Sequence, residues 1–585
     1  MKSFFKNVLA NIVAIVILCV VFFFFFIIML VFSAMGSEKS VMVKKNSVLT
    51  INLKTNILDS PTEEKKGIFE ISDQNKNVLI YDAIEAITKA KTDDNIKGIS
   101  IEADFLNAGI TQIDDLRNAI QDFKKSGKFV YAYGNAVSQA AYYLGSVADQ
   151  YYLNPAGMIE LKGLATEVAF YKDFADKYGI GIEVIRHGKF KSAVEPFLRN
   201  DISPENKEQL STLLNDIWKN TSLRIAASRK IDTAQFRTVV DSLYGMIPDL
   251  GLKYKLADKL IQKTEYDRII RSKLNLKEDD KLNKISLGKY VASYSDDEKS
   301  GDRVAVLYAS GSINGGDDYN DIHSEKYIKY IKDLQENDKV KAVVFRINSP
   351  GGSANASDEI LFELQQLKKK KPLVVSFGDY AASGGYYIAM AADKIYSEPN
   401  TLTGSIGVFG VIPYFKDIAN KNGIRSDIVS TNANSQYYSS LNGVTPYGVN
   451  MITRSVEGTY KRFVHFVTQN RKKSFEQIDN VGGGRVWSGT RAKQIGLVDE
   501  LGTLNDAIKF AAQKAGLKSY NVASYPKRMT PFEQIFKDLN EDDISARVVQ
   551  NKIGKANYEL LQQIVEERKL QSEVKMEMPY QIKIN

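Results

Sequence analysis

The chain has 585 residues, of which 44% are hydrophobic and 25% are charged, and its formal net charge is +8. This is the composition of a globular protein long enough for two or more domains. The positive charge is spread along the chain without an arginine-rich stripe, which argues against nucleic-acid binding. One cysteine, Cys19, and three histidines argue against an intramolecular disulfide and a Cys/His metal cluster. We therefore expect no metal and no other cofactor.

The first predicted element is an apolar anchor within residues 8–35. Ile12 to Phe32 is a run without a polar side chain, about 31 Å long as a helix, which is enough to span a bilayer. A cleaved signal peptide is the alternative, because the small residues Ala34 and Gly36 follow the run. Lysines flank the segment on both sides, so the charge count does not decide the topology. We expect a short inner tail and a large outer body, since long domains translocate largely regardless of charge.

Two related halves follow, predicted at residues 46–263 and 301–524. Each begins with a strand-like run, VLTINL or VAVLYA, and then alternates amphipathic helical stretches with short apolar strands. This alternation predicts an α/β architecture with parallel strand pairing. Residues 264–300 are rich in Lys, Asp and Ser and are predicted to be a linker with some helix. Residues 525–585 are predicted to be a charged helical tail, for packing or assembly.

The two halves contain an internal repeat. Shifted by 244 positions, residues 134–180 align without a gap with residues 378–424. The identical pairs include Tyr142/Tyr386, Tyr143/Tyr387, Asp149/Asp393, Pro155/Pro399, Gly163/Gly407 and Gly179/Gly423. A repeat of this length predicts that both halves have the same fold.

The copies differ at two positions that carry chemistry. Ser383 has Gln139 as its counterpart, and at the same offset Lys191 has Ser435. Each half therefore holds a residue that the other lacks. This asymmetry suggests one site assembled from two halves, with a serine from one and a lysine from the other.

Ser383 is the candidate nucleophile. It follows the strand PLVVSF and begins a helical run, where unpaired N–H groups and the helix dipole stabilise an oxyanion. Gly384 directly after it lets a substrate backbone approach closely. The turn SPGGS contains Gly351 and Gly352, whose N–H groups are predicted to complete an oxyanion hole with that of Gly384. The first copy has FLNAG in the region of this turn, so a purely structural need does not explain these glycines.

A serine nucleophile needs a base. His323 and His465 lie in helical stretches, whereas His187, four residues before Lys191, is a competing candidate. Lys191 is favoured because apolar residues follow it in FKSAVEPF and because the other copy has a serine in its place. Burial can lower a lysine pKa from about 10.4 to roughly 7–8, where a useful fraction of the amine is neutral.

Together these motifs resemble the signal peptide peptidase A family, also called protease IV, in its long duplicated form. The stretch FKSAVEPFLRNDISPENKEQL is similar to the family's lysine-bearing signature and GDYAASGGYYIA to its nucleophile signature. TLTGSIGVFG is similar to a third signature, RINSPGGS to the oxyanion turn, and GRVWSGTRAKQIGLVDELG to a closing segment. The resemblance covers about residues 45–515. It implies that Lys191 is the general base, Ser383 the nucleophile and Ser405 the residue that orients the lysine.

The resemblance also implies the fold and the setting. The fold would be two tandem Clp protease/crotonase-like domains of repeated β-β-α units, preceded by one transmembrane helix. The assembly would be a bowl-shaped homotetramer, tethered to the cytoplasmic membrane with its body on the periplasmic face. Its partners would be the bilayer and hydrophobic peptides, above all remnant signal peptides.

Three alternatives remain open at this stage. Crotonase-like folds also bind acyl-CoA, and a membrane scaffold with a relic domain is a non-enzymatic possibility. Within the peptidases, general quality control of membrane proteins is an alternative to the clearance of signal peptides.

Overall fold

The structure is a computed structural model that describes residues 11–23, 25, 41–52, 55–61, 77–294, 301–316, 321–527 and 575–578. Residues 11–23 are helical and their side chains are exposed. Among the described residues, no helix combines the length and the apolar character that crossing a membrane requires. Most of the predicted tail and part of the predicted anchor lie outside the described residues.

The strands are listed in chain order. Those of the N-terminal half are β1 (Ser47–Asn52), β2 (Asn56–Leu58), β3 (Asn77–Leu79), β4 (Ile96–Glu102), β5 (Phe129–Val137), β6 (Gln150–Ile159), β7 (Gly181–Arg186), β8 (Lys259–Leu260) and β9 (Lys284–Ser286). Those that follow are β10 (Arg303–Ser310), β11 (Ile313–Asn314), β12 (Ile322–His323), β13 (Val340–Ser349), β14 (Gly351–Ser353), β15 (Leu373–Ala382), β16 (Lys394–Ser397), β17 (Leu402–Gly404), β18 (Phe409–Tyr414), β19 (Tyr438–Ser439), β20 (Gly443–Val444), β21 (Val486–Ser488), β22 (Glu500–Leu501), β23 (Asn521–Tyr525) and β24 (Lys575–Glu577).

The helices of the two halves alternate with these strands. They are α1 (Ile80–Thr92), α2 (Ile110–Lys124), α3 (Gln139–Gly145), α4 (Lys172–Tyr178), α5 (Glu195–Leu198), α6 (Pro204–Arg229), α7 (Thr233–Asp241), α8 (Pro248–Lys253), α9 (Lys263–Lys273), α10 (Leu287–Ala292), α11 (Ser324–Glu336), α12 (Ala354–Lys370), α13 (Gly384–Ile388), α14 (Lys416–Lys421), α15 (Pro446–Arg471), α16 (Phe475–Val481), α17 (Gly489–Ile495) and α18 (Leu504–Lys514).

Each half is built on a largely parallel sheet. The first sheet has the order β8-β6-β5-β4-β1-β9, and every pair in it is parallel. The second has the order β21-β17-β15-β13-β10-β23, with β16 added beside β15 and β22 beside β16. Central strands such as β13 are buried over nearly their whole length, which explains their continuous apolar sequences. The predicted parallel α/β architecture is present in both halves.

The repeat is visible in the elements themselves. Strand β4, helix α2, strand β5 and helix α3 each have a counterpart 244 residues further on, in β13, α12, β15 and α13. Helix α12 shows why such a segment is helical. It buries Ile360, Leu364 and Leu367 along one face, its N-cap Ser353 accepts a hydrogen bond from Ala356 N, and lysines fill its last turn.

A third sheet joins the two halves. Its order is β12-β11-β14-β24-β18-β7, and β7 comes from the N-terminal half. Strand β7 pairs antiparallel with β18 over six residue pairs, from Gly181/Tyr414 to Arg186/Phe409. Strand β24 comes from the C-terminal tail and lies between β14 and β18. The chain immediately after β7 is therefore held against the C-terminal half.

The segment predicted as a linker, residues 264–300, differs from that prediction in its first part. It contains most of α9, then β9 and α10, and β9 pairs with β1 at the edge of the first sheet. Tyr266 and Ile270 of α9 are fully buried. This part of the segment therefore completes the N-terminal half. Its charged residues are exposed or half-buried, and Lys284 pairs with Asp267 and Glu102, while the apolar residues between them pack inward.

Buried polar contacts also join the halves. Arg346 is fully buried, and its guanidinium lies 2.7 Å from an Asp59 carboxylate oxygen and 3.6 Å from one of Glu398. Asp379 accepts hydrogen bonds from Thr111 N at 2.9 Å and from Gln112 Nε2 at 3.0 Å. A buried charge that lost its partner would be costly, so these contacts fix the halves in one arrangement.

One carboxyl in this interface is poised to titrate. Asp115 is 2% exposed, and burial raises the pKa of its carboxyl to about 7 from 3.8. Burial likewise raises the pKa of Glu398 well above its usual value, with the negative charge of Asp115 as the next cause. The folded protein therefore holds a proton here at a pH at which the unfolded chain has released it.

The variant Asp115→Asn tests this interface. The pKa of Asp115 is higher in the folded protein than in the unfolded chain. The free energy of unfolding therefore falls as the pH rises from about 4 towards 7, because the unfolded chain releases this proton first. Because Asn does not ionise, the melting temperature of the variant should rise relative to that of wild type between about pH 4 and about pH 7.

The control is Asp122→Asn on the same helix. Hydrogen bonds from Lys91 and Lys125 hold the pKa of Asp122 below its usual value, so it stays ionised throughout this range. Its melting temperature difference from wild type should be independent of pH. A pH-independent difference for Asp115→Asn as well would contradict the interpretation.

Candidate active site

The two residues that the repeat comparison singled out meet in the core of the molecule. Lys191 Nζ lies 2.9 Å from Ser383 Oγ, and both residues are fully buried. The contact joins the N-terminal half to the C-terminal half across 192 residues of sequence. The structure therefore brings together the serine and the lysine predicted from opposite halves.

Ser383 sits in a strained turn between β15 and α13. Its backbone has φ 54° and ψ −116°, outside the regions that residues with a side chain usually adopt. Its N–H donates to Gly404 O at 2.8 Å and its carbonyl accepts from Tyr387 N at 2.8 Å. Such strain costs roughly 1–3 kcal/mol and occurs preferentially at functional sites.

The counterpart in the first copy has neither the hydroxyl nor the strain. Gln139 is the first residue of helix α3, and its side chain holds the backbone of Gly163 through two hydrogen bonds, to O at 3.0 Å and from N at 2.9 Å. Gly163 corresponds to Gly407, which lies beside Ser383 in the second copy. In the first half this position therefore has a structural role.

Lys191 reaches the serine because its loop continues from β7. His187 N donates to Val408 O at 3.0 Å and Phe190 N donates to Gly483 O at 3.1 Å. A 3₁₀ turn, Ser192–Val194, begins immediately after Lys191. The backbone of the loop is thus tied to the C-terminal half beyond the end of the β7–β18 ladder. The counterpart of Lys191, Ser435, lies in an exposed loop.

Ser405 holds the other side of the lysine. Lys191 Nζ lies 2.9 Å from Ser405 Oγ and 3.3 Å from Ser405 O. Ser405 also has a positive φ, 49°, and its N–H donates to Arg485 O at 2.7 Å. The amine is therefore aimed between two serine hydroxyls, both on constrained backbone.

The three predicted oxyanion glycines lie close together but differ in their contacts. The N–H of Gly351 donates to Ser349 Oγ at 3.1 Å, so it is not directed at the site. This disagrees with the predicted role of Gly351 as a donor. A side chain at Gly384 would lie 3.2 Å from Gly352 N. Gly352 and Gly384 therefore remain together near the nucleophile.

A glycine run that the sequence analysis did not assign shapes the lysine's path. A Cβ on Gly484 would lie 2.6 Å from both the N and the Cβ of Lys191, and one on Gly188 would collide with the backbone of Gly483. The Lys191 loop can pass this closely only because these positions lack side chains. The consecutive glycines in VGGGR are the sequence feature that could have indicated this close approach.

The competing histidine is engaged elsewhere. The His187 ring stacks on Tyr460 with ring centroids 3.8 Å apart. His323 Nδ1 lies 2.7 Å from Gly315 O, and His465 packs against Phe466. Within the described part of the chain, the hydrogen bonds of the Ser383 hydroxyl are with Lys191 and Gly407, not with a histidine. Groups of His, Cys, Asp and Glu suited to a metal ion are also absent from that part.

Models of protein families match both halves of the chain. The model for peptidase family S49 matches residues 122–277 and 365–518, once in each half, and the Clp protease model matches residues 295–403. "Protease 4" of Salmonella typhi is 36% identical over 478 residues, covering 80% of this chain and 77% of that protein. "Protease 4" of Haemophilus influenzae is 33% identical, covering 82% and 80%.

Two further proteins are similar to this chain. "Serine protease SPPA, chloroplastic" of Arabidopsis thaliana is 32% identical over 492 residues, covering 81% of this chain and 70% of that protein. A solved structure of a ClpP1 mutant from Listeria monocytogenes is 20% identical and superposes with a TM-score of 0.24, covering 35% of this chain and 94% of that one.

The duplicated match and the relatives establish that this chain belongs to peptidase family S49 and is a serine peptidase. Within that family it is of the long, duplicated protease IV type, with Clp protease-like α/β halves. The resemblance inferred from the motifs is confirmed at this level. The acyl-CoA enzyme and the non-catalytic scaffold do not fit this assignment.

The packing of Gly484 against the lysine gives a direct test of the site. In Gly484→Ala the new Cβ must displace the Lys191 backbone, and misplacement of a reacting group by about 1 Å can cost about 10²-fold in rate. We expect kcat/KM for a peptide substrate to fall by about that factor.

The matched control is Gly516→Ala. Gly516 also has a positive φ, 71°, but a Cβ there meets no atom within 4 Å. Gly516→Ala places an alanine at a positive φ, as Gly484→Ala does, but without a collision. The kcat/KM of this variant should therefore stay near that of wild type. Equal activities for the two variants would contradict the packing argument.

Proposed function

We infer that this chain is a membrane-anchored serine endopeptidase that uses a Ser383/Lys191 dyad to degrade cleaved signal peptides and other hydrophobic peptides. The observation that carries the inference is the 2.9 Å approach of Lys191 Nζ to Ser383 Oγ in a fully buried position. Membership of a serine peptidase family supports the choice of serine as the nucleophile.

A neutral Lys191 amine accounts for the contacts around it. A neutral amine has one lone pair and two N–H bonds. Lys191 Nζ lies 2.9 Å from Ser383 Oγ, 2.9 Å from Ser405 Oγ and 3.3 Å from Ser405 O. In the proposed mechanism the lone pair is directed at Ser383 Oγ and the N–H bonds at Ser405. Burial disfavours the charged form of an amine, and the neutral form is the one that can act as a base.

The reaction begins when the lone pair of Lys191 takes the hydroxyl proton as Ser383 Oγ attacks the peptide carbonyl carbon. The carbonyl oxygen becomes negative and is held by the N–H groups of Gly352 and Gly384. Losing one such donor typically costs about 10²–10³ in rate. Lys191 then protonates the leaving amine, and water releases the acyl group from Ser383. Ser405 keeps the amine aimed throughout.

The proposed substrate class follows from the proposed location. The run from Ile12 to Phe32 is long enough to span a bilayer. In the proposal it anchors the chain in the cytoplasmic membrane with the body on the periplasmic face. Signal peptides left in a bilayer are apolar by construction, so an anchored peptidase meets them directly. Broader quality control of membrane proteins would use the same site, and a comparison of the two substrate types separates these roles.

Assembly as a homotetramer is part of the proposal. The C-terminal end of helix α4 meets the equivalent helix α14, with Ile418 N donating to Gly179 O at 3.0 Å and Lys421 Nζ donating to Lys177 O at 3.3 Å. Around them, large apolar side chains are exposed, namely Tyr171, Phe174, Tyr178, Ile424, Ile428 and Val429. Exposed apolar patches of this kind mark surfaces that associate with protein or membrane.

The dyad is tested with Ser383→Ala and Lys191→Met in the detergent-solubilised full chain. Each removes one partner of the proton transfer, so hydrolysis of a leucine-rich fluorogenic peptide should fall by about 10³-fold or more. Lys189→Met, an exposed lysine two positions away, is the matched control and should retain activity. An active Lys191→Met together with an inactive His187→Ala would show that the base is the histidine.

The anchor is tested by alkaline carbonate extraction of membranes that contain the full chain. Wild type should remain in the membrane pellet. Arginine costs about 2.5–3.5 kcal/mol at the centre of a span, so Ile17→Arg with Val20→Arg should move the protein to the supernatant. Met246→Arg with Ile247→Arg, two exposed positions in the N-terminal half, should not. Extraction of wild type by carbonate would refute the anchor.

A further inference from the structure

A cavity of about 430 Å³ lies between the two halves, and Ser383 is not among the residues that line it. The N-terminal half supplies residues 105–110, Ala140 and Ile217 to its lining, and the C-terminal half supplies Tyr380 and Leu402. Ligand sites in proteins usually have volumes of roughly 300–1,000 Å³. The cavity is therefore large enough to receive side chains of a peptide.

The cavity has, in the first copy, the place that the catalytic site has in the second. At the offset of 244 residues, residues 105–109 correspond to 349–353, the turn that contains the oxyanion glycines. Ala140 corresponds to Gly384, which follows the nucleophile. The strands that lead into the two turns, β4 and β13, begin at the same offset. The repeat therefore identifies the cavity as the counterpart of the site around Ser383.

The backbone of residues 105–109 is paired on one side and lines the cavity. Ile57 N of β2 donates to Asn107 O at 3.1 Å, as β11 pairs with β14 in the second copy. Leu106, Asn107 and Ala108 all line the cavity. An extended peptide can add to a strand edge through main-chain hydrogen bonds. The first copy therefore offers a peptide the same kind of edge as the second.

The cavity does not contain the groups that cleave a peptide. The counterpart of the nucleophile is Gln139, whose side chain is bonded to the backbone of Gly163. Ser138 lines the cavity but caps helix α3, where its Oγ accepts a hydrogen bond from Ala141 N at 3.4 Å. Among the described residues that line the cavity, none is a lysine or a histidine that could act as a base. The cavity can therefore bind a peptide without hydrolysing it.

The lining favours an apolar segment. Phe105 is 63% exposed, and Ile217 and Leu402 are buried in the cavity wall. The charged residues of the lining are Glu160 and Asp379. Apolar side chains gain free energy by leaving water for such a surface, whereas an acidic side chain would be repelled by the two carboxylates.

The cavity shares a wall with the catalytic site. Ile217, Tyr380 and Leu402 pack in one apolar cluster with Ala382, which directly precedes Ser383. Tyr380 precedes Ser383 by three residues, which is about 10 Å at about 3.3 Å per residue of strand. An extended peptide of ten residues spans about 33 Å, so one chain can contact both sites.

We propose that this cavity is a second, non-catalytic peptide-binding site, which holds an apolar segment of the substrate while Ser383 cleaves the same chain a few residues away. The proposal rests on the proposed function, and it adds a preference for the length and composition of a segment remote from the scissile bond. Binding energy from remote parts of a substrate serves the reaction at the scissile bond, so peptides too short to reach the cavity are cleaved more slowly.

The first test compares kcat/KM of the full chain for a leucine-rich fluorogenic tetrapeptide and for the same peptide extended by six leucine-rich residues on one side or the other. Extension on the side that reaches the cavity should raise kcat/KM by about tenfold or more, which is the gain that an apolar contact typically gives. An extension of the same length made of Gly and Ser should give no such gain.

The variant Phe105→Asp removes the exposed ring from the cavity and adds a third carboxylate beside Glu160 and Asp379. The ratio of kcat/KM for the extended peptide to that for the tetrapeptide should fall from about ten to about one. Phe362→Asp is the matched control, because Phe362 is 58% exposed and lies on helix α12, outside the cavity. Its ratio should equal that of wild type. An unchanged ratio in Phe105→Asp would overturn the proposal.

Photo-cross-linking locates the bound segment without requiring hydrolysis. A leucine-rich decapeptide with benzoylphenylalanine at one end or the other is irradiated with the full chain that carries Ser383→Ala, and the adducts are located by mass spectrometry. One of the two peptides should form adducts within residues 105–110, and Phe105→Asp in the same background should abolish them. Adducts confined to other parts of the chain would contradict a peptide site in this cavity.

Failure of the proposed function gives a different result. If wild type hydrolyses neither peptide while the adducts at residues 105–110 form, the second binding site is upheld and the proposed peptidase function is not. If wild type cleaves the tetrapeptide and the extended peptides equally well and no adducts form at residues 105–110, the proposed function is upheld and the second site is not.

Discussion

The structure depends on one contact, the insertion of Lys191 from the N-terminal half into the core of the C-terminal half, between Ser383 and Ser405. A buried amine requires hydrogen-bonding partners, and the two hydroxyls and a backbone carbonyl provide them. The β7–β18 ladder, the glycines that allow the loop to pass and the strained turn at Ser383 all serve to place these groups.

This contact explains why a duplicated chain has one site. The first copy keeps the β5–α3 turn but relaxes it into a regular helix start, where Gln139 fixes the backbone of Gly163. The second copy keeps the strained turn and the hydroxyl. In place of the lysine it has Ser435, on an exposed loop. Each half therefore supplies one residue of the shared site. The buried Arg346–Asp59 ion pair helps to fix the two halves relative to each other.

Much of this site could be predicted from the sequence, because a repeat acts as its own comparison. Ser383 has Gln139 as its counterpart, so the fold does not require a serine at this position. Lys191 has Ser435 as its counterpart, so the fold does not require a lysine there either. The alternation of apolar strands and amphipathic helices predicted the parallel sheets. These are local patterns, which are the kind that a single sequence records.

Local patterns could not predict the pairing of short strands with partners that are distant in the sequence. Strand β9 is three residues within a charged segment, and β24 is three residues near the C-terminus, so both depend on tertiary partners rather than on propensity. The N–H of Gly351 is taken by Ser349, a contact set by the exact shape of the turn. The fit of Gly484 against Lys191 likewise exists only once the two halves have met.

The shared site is tested most directly by the rate at which a small fluorophosphonate labels the full chain, with the labelled residue located by peptide mass spectrometry. If the lysine of one half activates the serine of the other, wild type is labelled at Ser383. Lys191→Met then loses this labelling, whereas His187→Ala keeps it. Labelling at a different residue, or labelling of Ser383 in Lys191→Met at the rate of wild type, would contradict the shared site.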